Sequence, residues 1–341
     1  LKWHVWLMQA CFKIYFMKES SKKRSCALFM ALTVTATLSG MLIWWLVHYV
    51  SHPNLYMPPG VSPSLQAVIP IEWVHVPKTG SSFLYTLLTI PGVCPDLPAQ
   101  LIEQSSSCGD VGQGVVDCLW STLDIPWYCN PRALDLAKGR IISHEGIDYL
   151  PKGGFKAGKG RFMTLLRQPE QRVLSEYAFQ KRQGFAGRGG RNLTLEEFSR
   201  MEAGWATKML TRGRPGGIPC DWPQLGPPTG AEIDEAKTRL QTGFSFIGIT
   251  EKWNLSICLF SKMFKQKCRA VQFINNNPTT GKTQRAYDTT ALNGWRDPYD
   301  GELYDIAVRL FEEKLHEYDV SESSCEPCWR EAGILGEECA M

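Results

Sequence analysis

The sequence predicts an α/β domain built on a central parallel sheet. Three stretches carry that expectation. Residues 71–90 read as strand, tight loop and helix, residues 140–146 as a short buried strand that ends in a polar turn, and residues 162–183 as a second strand, turn and helix. Strands alternating with helical patterns supply the crossovers that parallel pairing requires. At 341 residues the chain has room for a substantial core. Its formal net charge of +3 is too small to argue for nucleic acid, so local clusters matter more than the sum.

Ahead of the domain, residues 27–50 run for 24 positions without Asp, Glu, Lys or Arg. At about 1.5 Å per residue this is long enough to cross a bilayer, and Trp44, Trp45 and Tyr49 stand near the far end, where aromatic side chains favour the interface. Lys2, Lys13, Lys18, Lys22, Lys23 and Arg24 precede the span, and no Lys or Arg follows it until Lys78. The charge bias predicts a single transmembrane signal-anchor helix with residues 1–26 as a cytoplasmic tail and the rest luminal. Residues 51–70, with Pro53, Pro58, Pro59, Pro63 and Pro70, read as an extended, semi-rigid stem. The globular domain is expected over 71–320 and a cysteine-containing tail over 321–341. Ten of the twelve cysteines follow the span, which in such a compartment predicts disulfides without dictating their pairing. Cys325 and Cys328 are read as disulfide-bonded, with their pairing open, rather than as a redox pair, since they sit in a C-terminal tail, or as zinc ligands, since only Cys339 is near and four would be needed. Asn192 and Asn254 head glycosylation sequons.

In chain order, residues 71–76 carry the β-branched and aromatic residues of a buried strand, and Pro77 ends its ladder. Lys78, Thr79, Gly80, Ser81 and Ser82 form a small-residue turn. Phe83, Leu84, Leu87 and Leu88 then supply a helical apolar stripe. Backbone N–H groups, one Lys and three hydroxyls suit a phosphate or phosphosulfate. The turn is not a Walker A loop, since the lysine precedes the glycine. Residues 91–140, with four cysteines, read as a disulfide-pinned insertion over the sheet, and 152–160 as a Gly/Lys loop. Residues 162–166 form a buried strand, and Pro169 with Glu170 opens a helix. Arg167 therefore leaves the C-terminal end of a strand, the edge where ligands bind in open α/β sheets, and Ser175 lies about two turns into the helix. Val271 to Ile274 read as the tail of the sheet. Trp205 and Trp222 are read as core rather than as sugar-stacking residues, and His75 as packing beside the loop.

The stretch His75 to Phe83 is similar to the 5′-phosphosulfate loop of the Golgi carbohydrate sulfotransferases. Leu165 to Tyr177 resembles their 3′-phosphate motif, most similar to the heparan sulfate 6-O-sulfotransferase type. Residues 246–253 and 300–311 resemble a later strand-to-helix turn and the last helix of those enzymes, so the likeness spans roughly residues 71–318. Gln168 stands where an acidic residue is common in relatives. The resemblance implies a P-loop-like three-layer domain that moves a sulfuryl group from 3′-phosphoadenylyl sulfate (PAPS) to a hydroxyl of a glycan or proteoglycan, in the Golgi lumen, without a metal.

By that resemblance Lys78 offsets charge on the departing 5′-phosphate, with Thr79, Gly80, Ser81 and Ser82 holding the same group, and Arg167 and Ser175 take the 3′-phosphate. His144 is the expected general base, since an imidazole near its ordinary pKa suits the task, and Glu145 competes for that role. Thr283 and Arg285 are expected to close over the nucleotide. Arg182 and Arg188, in the basic glycine-rich stretch 180–191, and Glu145 are candidate acceptor contacts. Two other classes compete with this reading. A nucleotide phosphotransferase should carry a Walker A core and an acidic magnesium site, and neither is present in the sequence. The other is a catalytically inactive luminal glycan-binding protein that keeps the fold; intact Lys78, Arg167 and Ser175 weigh against it.

Overall fold

The computed structural model describes residues 61–88, 90, 134–136, 141–144, 146–147, 154–182, 184, 192–212, 226–273 and 286–334. The expected membrane span at 27–50 lies outside the described residues; among those described, no helix is long and apolar enough to cross a membrane. The insertion at 91–140 lies outside them too, except for residues 134–136.

Five strands form one sheet: β1 (Ile71–Val74), β2 (Leu134–Leu136), β3 (Ile141–His144), β4 (Phe162–Leu166) and β5 (Phe244–Ile249), in the spatial order β2-β3-β1-β4-β5. The four strands β3, β1, β4 and β5 are parallel, and β2 adds an antiparallel edge beside β3. The α/β class read from the sequence is therefore observed. Every residue of β1 and β4 is buried, as expected of central strands covered on both faces. The acidic Glu72 within β1 is paired by Arg161 at 2.9 Å.

The helices are α1 (Pro63–Gln66), α2 (Phe83–Leu88), α3 (Gly154–Gly158), α4 (Pro169–Arg182), α5 (Leu195–Glu202), α6 (Trp205–Thr211), α7 (Gly230–Gly243), α8 (Trp253–Phe264), α9 (Gly301–Glu317) and α10 (Glu322–Glu331). Thr194 and Thr229 start α5 and α7 through reciprocal capping boxes with Glu197 and Glu232. The core centres on Phe83, fully buried at the start of α2. Its ring stacks on Trp73 and Phe246, each at 5.3 Å, and meets Phe260 edge-on at 5.3 Å. Such aromatic pairs contribute about 0.5–1.5 kcal/mol each beyond the area they bury.

Four expectations need correction. The stem does not stay extended to residue 70: Ser62 caps α1, Pro63 occupies its first turn, and Leu65 is fully buried. Ser62 Oγ also donates to the Phe264 carbonyl at the end of α8, so the globular unit begins before residue 71. The stretch 152–160 is not all loop, because Phe155 stacks on Phe162 at 5.6 Å and fits against Gly243, which organises α3. Residues 270–273 form a 3₁₀ turn instead of a sheet strand: the Trp253 indole donates to the Gln272 carbonyl at 3.0 Å, and the Gln272 side chain accepts from the Arg269 N–H at 2.8 Å. The segment after residue 320 forms α10, which is bolted inward. Cys325 pairs with Cys258 and Cys328 with Cys268, with Cα separations of 6.0 and 5.2 Å. Each cysteine of the Cys325/Cys328 motif thus closes a long loop rather than bridging to the other.

Candidate functional site

The order of the sheet locates the site. The central strands β1 and β4 are neighbours, and the next parallel strands, β3 and β5, lie outward on opposite sides. Connections leaving β1 and β4 diverge, and such a switch point leaves a crevice beyond the C-terminal ends of the strands. Residues from both exits line one crevice, with Val76 and Thr79 after β1, Leu166 and Arg167 at the end of β4, and Asp300 and Tyr304 from the α9 region. His144 ends β3 in register with Val74 of β1, so its backbone lies at the same edge, one strand away from the Lys78 loop.

The loop after β1 is sharply folded. Lys78 takes a left-handed conformation with φ +65° and Gly80 has φ +107°. A Cβ on Gly80 would stand 2.7 Å from the Trp253 ring and 3.0 Å from Leu165 Cδ2, so glycine is required here by both conformation and space. The Val76 carbonyl, left without a strand partner, accepts from the Thr79 hydroxyl at 2.8 Å. That hydroxyl is therefore committed inside the loop. The Ser81 hydroxyl shares a 2.7 Å hydrogen bond with His75 Nε2, and burial together with Lys78 pushes the His75 pKa down to about 4. Ser82 is half-buried. Among the described residues, the N–H groups of Gly80, Ser81 and Ser82 have no backbone acceptor, whereas the next two, Phe83 and Leu84, donate to Gly80 and Ser81.

Lys78 is 9 % exposed. Burial lowers its pKa to about 8, Glu176 opposes the drop, and Arg182 and Arg167 add to it. Holding a charged ammonium there is disfavoured by about 3 kcal/mol relative to water. A bound anion would relieve that cost.

Arg167 meets the Lys78 loop directly: its Nη1 donates to the Lys78 carbonyl at 3.4 Å. Its Nε lies 3.8 Å from Glu251, beyond hydrogen-bond distance, and is buried without a hydrogen-bond partner. The Tyr287 ring faces the guanidinium at 5.4 Å. The backbone of Tyr287 is clamped by the Gln171 side-chain amide, which donates to its carbonyl at 2.8 Å and accepts from its N–H at 2.7 Å. Tyr304 donates to the second oxygen of Glu251 at 3.1 Å, and burial pushes its phenol pKa up. Thr250 Oγ1 donates to the carbonyls of Thr79 and Leu166, tying the exits of β5, β1 and β4 together.

Of the residues singled out from sequence, Lys78, Thr79, Gly80, Ser81, Ser82 and Arg167 converge on this edge, and Ser175 is buried within α4. Arg182 is exposed at the end of α4, Asn192 is exposed before α5, and Asn254 is half-buried in the first turn of α8. Glu145, Arg188, Thr283 and Arg285 lie outside the described residues, as does the side chain of His144. Gln168 opens α4 by accepting from the Gln171 N–H at 3.0 Å, a capping role that a neutral amide performs. Sequence reasoning missed Glu176, Phe179, Glu251 and Tyr287. The spacing of Glu176, Phe179 and Arg182 along one side of a helix was the available signal for part of that set. Among the described residues there is no cluster able to hold a metal ion.

Compared with protein-family models, with curated proteins and with solved structures, the chain matches none.

Proposed function

We propose that this chain is a PAPS-dependent carbohydrate O-sulfotransferase with a P-loop-like domain, held in the Golgi membrane by residues 27–50 with its catalytic domain luminal. One observation carries the reading. Two basic residues, Lys78 after β1 and Arg167 after β4, come together across the switch point of a parallel sheet, the Arg167 guanidinium on the Lys78 carbonyl, beside loop N–H groups that have no backbone acceptor among the described residues. The residues fit a donor with phosphate groups at two positions: Lys78 is a buried cation with no contact ion pair among the described residues, and Arg167 Nε, 3.8 Å from Glu251, is buried without a hydrogen-bond partner.

The donor supplies an activated sulfuryl group whose transfer needs positioning and charge stabilisation more than covalent help. Lys78 offsets charge on the leaving phosphate, and the N–H groups of Gly80, Ser81 and Ser82 orient that phosphate. Arg167, with its fork of donors, and Ser175 hold the 3′-phosphate. Thr79 shapes the loop through its bond to Val76 and contributes packing rather than a free hydroxyl. In this reading His144 takes the proton of the acceptor hydroxyl, with Glu145 as the competing base, and Thr283 and Arg285 close over the nucleotide. Arg182 and Arg188 attract an anionic glycan or proteoglycan.

The test is calorimetric binding of 3′-phosphoadenosine 5′-phosphate to the full chain in mild detergent. Lys78→Ala and Arg167→Ala should each weaken binding by roughly 10- to 100-fold, the range for losing a charge-assisted hydrogen bond. Absence of binding by folded wild type would defeat the sulfotransferase reading and leave a luminal glycan-binding protein.

A further inference from the structure

One face of α4 carries an arrangement around Lys78 that the transfer chemistry does not itself call for. The Phe179 ring lies 4.1 Å from Lys78 Nζ, and the Arg182 guanidinium stands 5.9 Å from the same ring. Glu176, three residues before Phe179 and so on the same side of the helix, is 6 % exposed. One of its oxygens accepts from the Gln180 amide at 2.7 Å, while Oε2 is buried without a hydrogen-bond partner. Among the described residues, the charged and titratable groups that bear on Lys78 are His75 from its own loop, Arg167 from the exit of β4, and Glu176 and Arg182 from α4. Within that set Glu176 alone is acidic. It acts through space and leaves the ammonium able to meet an anion.

We infer that Phe179 and Glu176 are positioning residues for Lys78, forming a rest on α4 that keeps its ammonium charged and aimed before a ligand arrives. The purpose assigned to this rest depends on the sulfuryl-transfer reading; its geometry does not. A lysine has a long, freely rotating stem, so a buried one needs a surface that restricts it. An aromatic face does so without neutralising the charge, whereas a contact ion pair would compete with the incoming phosphate. The left-handed backbone at Lys78 fits the same purpose, since strain of this kind persists where the surroundings hold a side chain in a required direction.

The test reads Lys78 directly. The full chain in mild detergent is acetylated with trace acetic anhydride across a range of pH, and the Lys78 peptide is quantified by mass spectrometry. Wild type should titrate at about pH 8. Glu176→Gln should move that midpoint down by about one pH unit, the size of effect expected from losing one nearby opposite charge. Phe179→Leu should lower it as well and raise Lys78 reactivity, while Phe179→Tyr, which keeps the ring, should behave as wild type. Midpoints unchanged in both Glu176→Gln and Phe179→Leu would overturn the inference. A second arm measures 3′-phosphoadenosine 5′-phosphate binding. In Glu176→Gln it should weaken near pH 8 and recover near pH 6.5, where the lysine is protonated without help. Labelling shifts in the two variants, with a wild type that binds no nucleotide, would refute the sulfotransferase reading and leave the rest intact. Nucleotide binding with no labelling shift would do the reverse.

Discussion

Gly80→Ala tests the geometry of the site loop most sharply. The backbone at Gly80 has φ +107°, where an L side chain is strained, and the new methyl would stand 2.7 Å from the Trp253 ring. The ring cannot simply retreat, because its indole N–H is bonded to the Gln272 carbonyl at 3.0 Å, and Leu165 closes another side at 3.0 Å. Backbone strain contributes about 1–3 kcal/mol and overpacking a further ~1–3 kcal/mol, for a total of about 2–6 kcal/mol. Gly160 supplies the control: its φ is +84°, but a Cβ there meets nothing within 4 Å, so Gly160→Ala should cost only about 1–2 kcal/mol. Urea unfolding of the full chain in mild detergent, followed by tryptophan fluorescence, compares the two through their midpoints at constant slope. Gly80→Ala should be clearly the less stable and should also lose nucleotide binding. Equal destabilisation of the two variants would refute the claim that Trp253 and Leu165 close the loop.

Two further outcomes follow from the packing around the site. A non-reducing peptide map should recover Cys258 joined to Cys325 and Cys268 joined to Cys328; a Cys325–Cys328 bridge would refute the placement of α10. Because the two bridges are interlocked, with the other intact each closes only the short path through residues 258–268 and 325–328, so removing one should cost about 3 kcal/mol by the loop-entropy argument. Asp300, buried and beside Asp297, has its pKa pushed up to about 6, although it accepts from the N–H groups of Ala206 and Thr207 at 2.9 Å. The folded chain then holds that proton more tightly than the unfolded one, so this group's contribution is full below about pH 4 and is lost as pH rises through about 6. The stability of wild type relative to Asp300→Asn should therefore fall between about pH 4 and pH 7. A difference constant with pH would show that Asp300 does not titrate in this range.

Elements driven by their own sequence were legible. The run at 162–166 followed by Pro169 and Glu170 announced β4 and α4, and the site loop was marked by the residues around Gly80. Thr194 and Thr229, each followed three residues on by a glutamate, head α5 and α7, two helices absent from the sequence-based expectation although that spacing is a capping signal. Elements that owe their shape to remote partners were misread. Residues 63–66 turn helical because Leu65 has a core to enter, residues 154–158 because Phe155 finds Phe162 and Gly243, and residues 270–273 because Trp253 takes the Gln272 carbonyl. The same division holds at the site. Lys78 and Arg167 were each visible as a cation leaving a strand, whereas Phe179 and Glu176 looked like ordinary positions on a helix.

By itself, the sequence determined the two strand–turn–helix units at 71–90 and 162–183, and that a lysine loop and an arginine would stand at strand ends. Those features depend on local periodicity and on the limited conformations open to glycine and proline. Only the tertiary structure decided that β1 and β4 are neighbours, which brings Arg167 to the Lys78 carbonyl, and that Lys78 rests on Phe179 beside Glu176. Strand order and the burial of a charge depend on contacts between residues about a hundred positions apart. No local pattern encodes those contacts, because their free energy appears only when the sheet has closed around its core.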